Sequence, residues 1–266
     1  MAREPFILVS PPLTPPPLSG GGIQGGGNQL TVSGDEAHHL IKVLRAKVGY
    51  RFIGFDGKGH GWRAEITSIS RKNVIARIIE PIMDSPPGGR TLASNITLEV
   101  AVGVIKGNRM DWAVEKAGEL GAVRFTPLTS RYSVVSPGRG RVERWRTIAL
   151  SAAKQSRRCW LMEVCQPLSL EQVVEDAASD SACGMCALVL NDDTMPLIQI
   201  WNNIVSQQSI KRLILFIGPE GGFSTDEVDL FQHSGIPLAC VGEKTLRTET
   251  AVAVALGTVT NAPIVR

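Results

Sequence analysis

The feature that most constrains the fold is a change in hydrophobic period near residue 90. Beyond it, the apolar run Ile96–Val104 is followed by a helical pattern over Arg109–Leu120, whose apolar residues share one face. Buried-type runs return at Leu213–Gly218 and Leu238–Val241. Strands that alternate with helices are typical of a mostly parallel sheet. The second part of the chain is therefore predicted to be an α/β domain.

The preceding part has a different pattern. It holds three short, partly alternating runs, Tyr50–Phe55, Gly61–Ile69 and Asn73–Ile79, each bounded by Gly, Asp or Asn. Asp35–Arg45 predicts one short helix, which Ser33 or Asp35 would cap. Several short strands within one short segment predict a small β-barrel.

Two stretches rich in Pro and Gly separate these patterns. Residues 10–28 predict a flexible loop, and residues 84–94 are the best candidate for a domain boundary. We therefore predict a barrel domain over residues 1–88 and an α/β domain over residues 89–266.

The charges are distributed unevenly. The net charge is only +3, but the first 170 residues carry 23 basic and 13 acidic side chains, whereas residues 171–266 carry 5 and 12. Residues 131–158 alone hold eight basic side chains and one acid, largely on a predicted helix over Arg141–Arg158. This gradient indicates a polyanion-binding part and a part with another task. A solvated basic helix face is the alternative interpretation.

Several classes of protein are disfavoured. No apolar run approaches the ~20 residues of a membrane helix, and the N-terminus lacks the signal-peptide pattern. The five cysteines are an odd number, so a disulfide framework is not expected and a cytoplasmic location is. Cys183 and Cys186 form a CxxC without the second pair that zinc requires. We interpret them as reduced structural thiols, and we expect neither a metal nor a membrane partner.

Two loops rich in glycine or polar residues follow predicted strands. Gly218-Pro-Glu-Gly-Gly comes first, and Gly242–Ala251 contains Leu-Arg-Thr-Glu-Thr-Ala before an apolar helix. Ligands of open α/β sheets bind at the carboxyl ends of strands, where glycine permits close backbone approach. Ordinary turns, or an ion pair of Arg247 with Glu249 that holds the loop, remain alternatives. The GxGxxG fingerprint is missing, which disfavours a dinucleotide oxidoreductase.

Taken in order, these motifs resemble the SPOUT superfamily of RNA methyltransferases, and more narrowly the 16S ribosomal RNA uracil-N3 methyltransferase family. The two loops carry the resemblance together with His38–Arg45, Phe55-Asp-Gly57, Ala64-Glu-Ile66, Lys106, Met110, Lys116, Glu119-Leu-Gly121 and Ala152–Arg158. The chain departs from that pattern at Lys154, where the family usually has Glu, and at Gly242-Glu-Lys244, where it usually has Gly-Pro-Arg.

The resemblance implies a SPOUT-type α/β domain with a deep trefoil knot, preceded by a PUA/OB-like barrel. It implies a homodimer that uses S-adenosylmethionine to methylate N3 of a uridine in 16S ribosomal RNA, free or in the small ribosomal subunit. The residues it implies for the cofactor are Leu190, Asn191, Ile217, Gly218, Pro219, Glu220, Gly221, Val241, Gly242, Leu246, Arg247, Thr248 and Ala251.

Methylation at N3 also requires the loss of the N3 proton, so a base or an anion-stabilising cation is needed. Arg247 is the candidate cation, and Glu220 or Glu249 would orient it or accept the proton. Charge and position select candidate RNA contacts, which are Lys42, Arg45, Lys106, Arg131, Arg144, Arg157 and Arg158. His38 and His39 fit an RNA contact or a structural role equally well.

Two other functions remain open. The chain fits a SPOUT methyltransferase that acts on another RNA or another atom. It also fits a ribosome-assembly factor that binds RNA without catalysis, although the intact loops at 218–222 and 246–251 disfavour this alternative.

Overall fold

The computed structural model describes residues 4–9, 28–84, 96–133, 137–190, 194–207 and 209–262. The chain divides into two compact units. Unit 1 is formed by residues 1–85 together with 153–161, and unit 2 by residues 86–152 together with 162–266. The predicted loop at 10–28, apart from Asn28, and the predicted boundary at 88/89 lie outside the described residues.

Unit 1 is built on a five-stranded mixed sheet in the order β1-β3-β4-β5-β2. Its strands are β1 (Phe6–Leu8), β2 (Gln29–Ser33), β3 (Arg51–Phe55), β4 (His60–Ile69) and β5 (Asn73–Met83). The strand β1 runs parallel to β3, and the other pairs are antiparallel. Leu30, Phe52 and Ile66 are among the buried residues of its core. The three predicted runs are strands, as expected.

The predicted helix over Asp35–Arg45 takes a different form. An α-helix, α1 (Gly34–His38), continues into a π-helical turn over His39–Val43. Ser33, one of the two predicted caps, occupies the N-cap position, although its side chain makes no capping hydrogen bond. Burial of Ala37 and Leu40 against the sheet holds this short segment in place, since a helix of this length is marginal without packing.

Residues 153–161 belong to unit 1 because they bond to the β3–β4 hairpin and its neighbours. The amide of Gly59 donates to the carbonyl of Cys159 over 3.0 Å, and the amide of Cys159 donates to Asp84 Oδ2 over 2.7 Å. A Cβ on Gly59 would lie 2.5 Å from the Trp160 ring, so this contact requires glycine. The sequence prediction had placed these residues with the α/β domain.

Unit 2 contains an all-parallel sheet in the order β11-β13-β10-β12-β6-β7-β8, with β9 also paired to β7. Its strands are β6 (Thr97–Gly103), β7 (Arg124–Thr129), β8 (Glu163–Val164), β9 (Leu168–Ser169), β10 (Cys183–Leu188), β11 (Met195–Pro196), β12 (Arg212–Ile217) and β13 (Leu238–Cys240). Continuous apolar runs suit such strands, because a parallel sheet is buried on both faces. The predicted α/β class is confirmed.

Six helices within the described ranges connect or follow these strands. They are α2 (Arg109–Glu119), α3 (Arg139–Ser156), α4 (Leu170–Ala178), α5 (Leu197–Ser206), α6 (Thr225–His233) and α7 (Thr248–Thr260). The sequence did not predict α4 or α5. None of the helices within these ranges combines the length and the apolar character that a membrane crossing requires.

The order of the strands determines where a ligand can bind. β13, β10 and β12 are neighbours and parallel, so their carboxyl ends, near Cys240, Leu188 and Ile217, meet at one edge of the sheet. The loops that follow these three strands therefore converge, as expected for the ligand-binding edge of an α/β sheet.

Candidate functional site

A cavity of about 360 Å³ lies at the carboxyl edge of β13, β10 and β12. Three loops and the start of α7 form its wall. The lining residues are Leu188, Val189, Leu190, Ile217, Gly218, Pro219, Glu220, Gly221, Gly222, Phe223, Ala239, Cys240, Val241, Gly242, Lys244, Thr245, Leu246, Thr248 and Ala251. Its volume is in the range of small-molecule sites, about 300–1,000 Å³.

The loop after β12 is folded tightly on itself. The amide of Gly222 donates to the carbonyl of Pro219 over 2.9 Å, and Gly222 has φ +72°, which favours glycine. A Cβ on Gly218 would lie 2.9 Å from the carbonyl carbon of Gly222. Glycine at positions 218 and 222 therefore permits this tight fold, in which the backbone of the loop forms part of the cavity wall.

A third glycine supports this loop from below. Gly103 ends β6, and a Cβ there would lie 2.4 Å from Pro219 Cδ and 2.5 Å from its nitrogen. The absence of a side chain at Gly103 lets the Gly218–Pro219 peptide sit directly on the sheet.

Thr248 joins the start of α7 to the loop after β12. Its side-chain hydroxyl donates to the carbonyl of Gly218 over 3.0 Å, and the residue is only 4% exposed. The first turn of α7 is thus fixed to the loop after β12. At the other end of the latter loop, Ser224 caps α6: its hydroxyl accepts from the amide of Glu227, whose carboxylate accepts from the amide of Ser224. Together these two bonds form a capping box, whose sequence signature is a Ser followed three positions later by Glu.

Most of the residues predicted to hold a cofactor line this cavity. Asn191 lies outside the described residues, and Arg247 is described but does not line the wall. The prediction missed several lining residues, which are Leu188, Val189, Gly222, Phe223, Ala239, Cys240, Lys244 and Thr245. Each of them lies within three residues of a predicted one. Extending the predicted set along each loop would therefore have included them.

The three candidate catalytic residues have different surroundings. Glu220 lines the cavity, and its Oε1 lies 2.8 Å from Arg109 Nη2. Arg247 is exposed and directly precedes α7. Glu249 is only 8% exposed, and its Oε2 has no hydrogen-bond partner among the described residues. An ion pair of Arg247 with Glu249 does not occur in this part of the chain, so such a pair does not hold the loop.

The candidate RNA contacts of unit 2 are exposed, but one is already paired. Lys106 and Arg131 are exposed, whereas Arg144 donates from Nε and Nη2 to Asp111 Oδ2 over 2.9 and 2.7 Å. Asp111 also accepts from Trp145 Nε1 over 3.0 Å. This network links α2 to α3, so a phosphate would compete with Asp111 for Arg144.

Lys42 and Arg45 are candidate RNA contacts that lie within and just after the π-helical turn of unit 1. Lys42 and His38 line a cavity of about 340 Å³ whose other lining residues include Arg71 and Lys72. Arg45 is exposed and adopts a positive φ of 49°.

Near residue 157 two arginines differ in exposure. Arg157 is exposed, and its Nη2 donates to the carbonyl of Glu4 over 3.4 Å. Arg158 is partly buried, and this burial lowers the pKa of its guanidinium below the ordinary value.

The cysteines of the CxxC lie on β10. Burial raises the pKa of Cys186 to about 12, and burial also raises the pKa of Cys183, although Arg212 Nε donates to its sulfur over 3.1 Å. Both thiols are free. Among the residues that the structure describes, no group of three or more His, Cys, Asp or Glu side chains is placed to hold a metal ion.

Comparison with known proteins identifies the family. Residues 93–260 match the model of an RNA methyltransferase domain, and residues 32–79 match that of an RNA methyltransferase PUA domain. The ribosomal RNA small subunit methyltransferase E of Synechocystis sp. is 31% identical, covering 85% of this chain and 71% of that protein. The enzyme of the same name from Mycobacterium bovis is 32% identical, covering 88% and 86%.

Solved structures agree with these matches. A methyltransferase from Legionella pneumophila, determined with its bound cofactor S-adenosylmethionine, is 26% identical and has a TM-score of 0.76, covering 98% of this chain and 99% of that one. With a family model matched over more than half of its length and a PUA-like unit before it, the chain belongs to the RNA methyltransferase family.

Proposed function

We propose that this protein transfers a methyl group from S-adenosylmethionine to N3 of a uridine in the 16S ribosomal RNA of the small subunit. The observation that carries the proposal is the glycine-walled cavity at three strand ends, in a chain whose relatives bear the name ribosomal RNA small subunit methyltransferase E. Small subunits are assembled in the cytoplasm, so we place the activity there.

The cavity suits S-adenosylmethionine. Its volume of about 360 Å³ accommodates a small ligand, and Gly218 and Gly221 are among the residues that line it. Backbone groups of Ile217–Gly221, Val241–Gly242 and Leu246–Thr248 would hold the adenine and methionine parts. The Legionella structure, which holds this cofactor, supports the assignment. When bound, the cofactor supplies an electrophilic methyl group on a sulfonium.

Two observations favour Glu220 over Glu249 as the proton acceptor. Glu220 lines the cavity, whereas Glu249 is buried and does not contribute to the wall. We therefore assign to Glu220 the removal of the proton from N3 of the uracil. Arg109, whose Nη2 lies 2.8 Å from Glu220 Oε1, orients that carboxylate.

Arg247 has a separate role in this scheme. Its side chain is exposed beside the cavity wall, at the N-cap of α7 between Leu246 and Thr248, both of which line the wall. We assign to it the stabilisation of the negative charge that the uracil acquires when N3 loses its proton. This assignment replaces its predicted contact with the cofactor.

The RNA would be held through phosphate contacts. Lys106 and Arg131 in unit 2, and Lys42, Arg45 and Arg157 in unit 1, are exposed cations. Such contacts give salt-dependent affinity that is largely independent of sequence. Arg144 contributes less than the sequence predicted, because Asp111 already neutralises it.

We also propose the trefoil knot. The chain passes from β12 to β13 on the far side of β10, and α7 then returns to pack against α2 and β6. This path supports a knot, because a chain that has passed beyond β10 must come back across that strand to reach β6.

A homodimer is part of the proposal. α7 is apolar around almost its whole circumference, and Trp112 on the adjacent helix α2 is 40% exposed. A second copy that covers this region would bury both. Light scattering tests the assembly: a mass of twice 28.6 kDa supports it and a monomer contradicts it.

The experiment that tests the function is methylation mapping of 16S ribosomal RNA from cells with and without the protein. We expect one uridine to lose a methyl group at N3 when the protein is absent, and to regain it when purified protein and S-adenosylmethionine are added to isolated small subunits. Loss of a methyl group at another atom or in another RNA would favour the alternative methyltransferase. No difference, together with no cofactor binding by calorimetry, would favour the non-catalytic assembly factor.

A further inference from the structure

The turn after β7, residues 130–133, places an aromatic ring beside the wall of the cavity. Tyr132 is 49% exposed, and its Cβ and Cγ lie 3.1 and 3.2 Å from the point that a Cβ on Gly221 would occupy. Gly221 itself lines the cavity. The tyrosine thus packs directly on the backbone of the loop after β12 (residues 218–224, the ligand loop), while half of its surface remains accessible.

Hydrogen bonds fix the shape of this turn. The amide of Ser130 donates to Ser133 Oγ over 3.0 Å, and the same hydroxyl donates to the carbonyl of Leu128 over 3.1 Å. The amide of Ser133 donates back to the carbonyl of Ser130 over 2.9 Å. Ser130 and Ser133 therefore hold the backbone of the turn that carries Tyr132.

A buried carboxylate ties the turn to the ligand loop. Glu227 is only 7% exposed, and its Oε1 accepts from the amide of Arg131 over 2.9 Å. Its Oε2 accepts from the amide of Ser224 over 2.7 Å, within the capping box of α6. One side chain thus holds both the turn and the end of the loop after β12, which sets the position of Tyr132 relative to the cavity.

The charges next to the ring are positive and accessible. Arg131 is exposed at the adjacent position, and Lys106 is exposed where its backbone amide lies 3.4 Å from Glu220 Oε1, one residue before Gly221. An exposed aromatic ring flanked by cations is the combination by which proteins bind single-stranded nucleic acid: the ring stacks on a base and the cations contact the phosphates.

We propose that Tyr132 is the platform on which the target pyrimidine stacks, in single-stranded or extruded form, with Arg131 on a phosphate of the same strand. Glu227 is then a positioning residue, which acts through the turn. This inference rests on the proposed function and adds the element that delivers the base to the cavity. A ring already in place reduces the ordering that binding would otherwise require.

Steady-state kinetics test the platform, with small subunits from cells that lack the protein as substrate. We expect Tyr132→Ala to raise KM for the subunits about ten-fold or more, the scale of one base–aromatic stack. Cofactor affinity by calorimetry should not change. Tyr132→Phe keeps the ring and should restore KM, whereas Tyr132→Leu keeps apolar bulk without a ring face and should not.

Glu227 is tested through its coupling to the ring. We expect Glu227→Gln to raise KM, and to raise it less in a Tyr132→Ala background, since both changes remove one platform. A purely structural role of Glu227 would raise KM equally in both backgrounds and would contradict the positioning role.

Failure of this inference is distinguishable from failure of the proposed function. Wild-type protein that methylates subunits, together with a Tyr132→Ala variant of wild-type KM, overturns the platform alone. Wild-type protein that neither binds S-adenosylmethionine nor methylates subunits overturns the proposed function and the platform with it.

Discussion

The hydroxyl of Thr248 lies 3.0 Å from the carbonyl oxygen of Gly218, across two loops that are 30 positions apart in the chain. This hydrogen bond connects the first turn of α7 with the loop after β12. Both residues line the cavity. The Thr248 side chain therefore fixes two separate segments of the cavity wall relative to each other.

Replacing that hydroxyl should weaken both the cavity and the fold. We expect Thr248→Val to lose about 1–2 kcal/mol of stability, because the partly buried carbonyl of Gly218 loses a donor, and to weaken cofactor binding. Thermal denaturation and calorimetry measure the two effects. Thr258→Val is the matched control, since the hydroxyl of Thr258 donates within α7 to the carbonyl of Val254 and not across to the loop after β12 in the described structure. Equal effects of the two changes on cofactor affinity would contradict a special role for Thr248.

A methyl group at Gly103 should displace the ligand loop. Because its Cβ would lie 2.4 Å from Pro219, we expect Gly103→Ala to cost about 1–3 kcal/mol and to weaken cofactor binding strongly. Gly140→Ala is the control, since a Cβ there meets no atom within 4 Å. Unchanged calorimetric affinity in Gly103→Ala would show that the loop tolerates the shift.

Glu220 and Glu249 should respond differently to loss of charge. We expect Glu220→Gln to lower kcat by about 10²–10⁴, because the proton acceptor is lost. Glu249→Gln removes a buried charge whose Oε2 has no partner in the described structure, so we expect kcat near wild type and stability that does not fall. Single-turnover methylation with saturating cofactor makes the comparison. The reverse order of effects would reassign the proton acceptor to Glu249.

Arg247 should matter for chemistry rather than for binding of the cofactor. Its side chain is exposed and does not line the cavity, so we expect Arg247→Ala to retain cofactor affinity while kcat falls by about 10²–10³, the usual cost of removing a charge-stabilising group. Lys211→Ala, on the same unit, controls for loss of one positive charge. Near-wild-type methylation by Arg247→Ala would rule out the proposed role.

Alkaline pH should destabilise the protein through its buried thiols. Burial raises the pKa of Cys186 from 9.0 to about 12, so the folded state keeps a proton that the unfolded state releases. Stability is therefore fully present below pH 9 and falls between about pH 9 and 12, by about 1.4 kcal/mol per pH unit for this thiol. Denaturant titrations of wild type and Cys186→Ala at several pH values measure the slope. Identical slopes would show that Cys186 contributes nothing.

The edge of the sheet that holds the cavity was largely predictable, because its determinants are local. The alternation of runs and helices indicated a parallel sheet, and loops after parallel strands must meet at one edge. Ser224 and Glu227 have the three-residue spacing that is typical of a capping box, and the structure contains one there. The same signal was present at Ser169 and Gln172, where a capping box opens α4, although that helix was not predicted.

Other features depend on contacts between distant residues. Arg144, which the sequence suggested as an RNA contact, pairs with Asp111, 33 positions away, and so links two helices. Lys154, which departs from the related family's Glu, forms an ion pair with Glu36, 118 positions away. Such long-range partners cannot be predicted from residue spacing or composition. The bond of Glu227 to the Arg131 amide, which positions Tyr132, was equally invisible in the sequence.

The distribution of the cavity wall over residues 188–251 has a consequence for synthesis of the protein. A nascent chain that has emerged only as far as α6 contains the loop after β12 but lacks Thr248, which holds that loop in place. The cavity therefore cannot be complete before α7 has folded onto the sheet. Until then the ribosome is making a protein that cannot yet modify the RNA of other ribosomes.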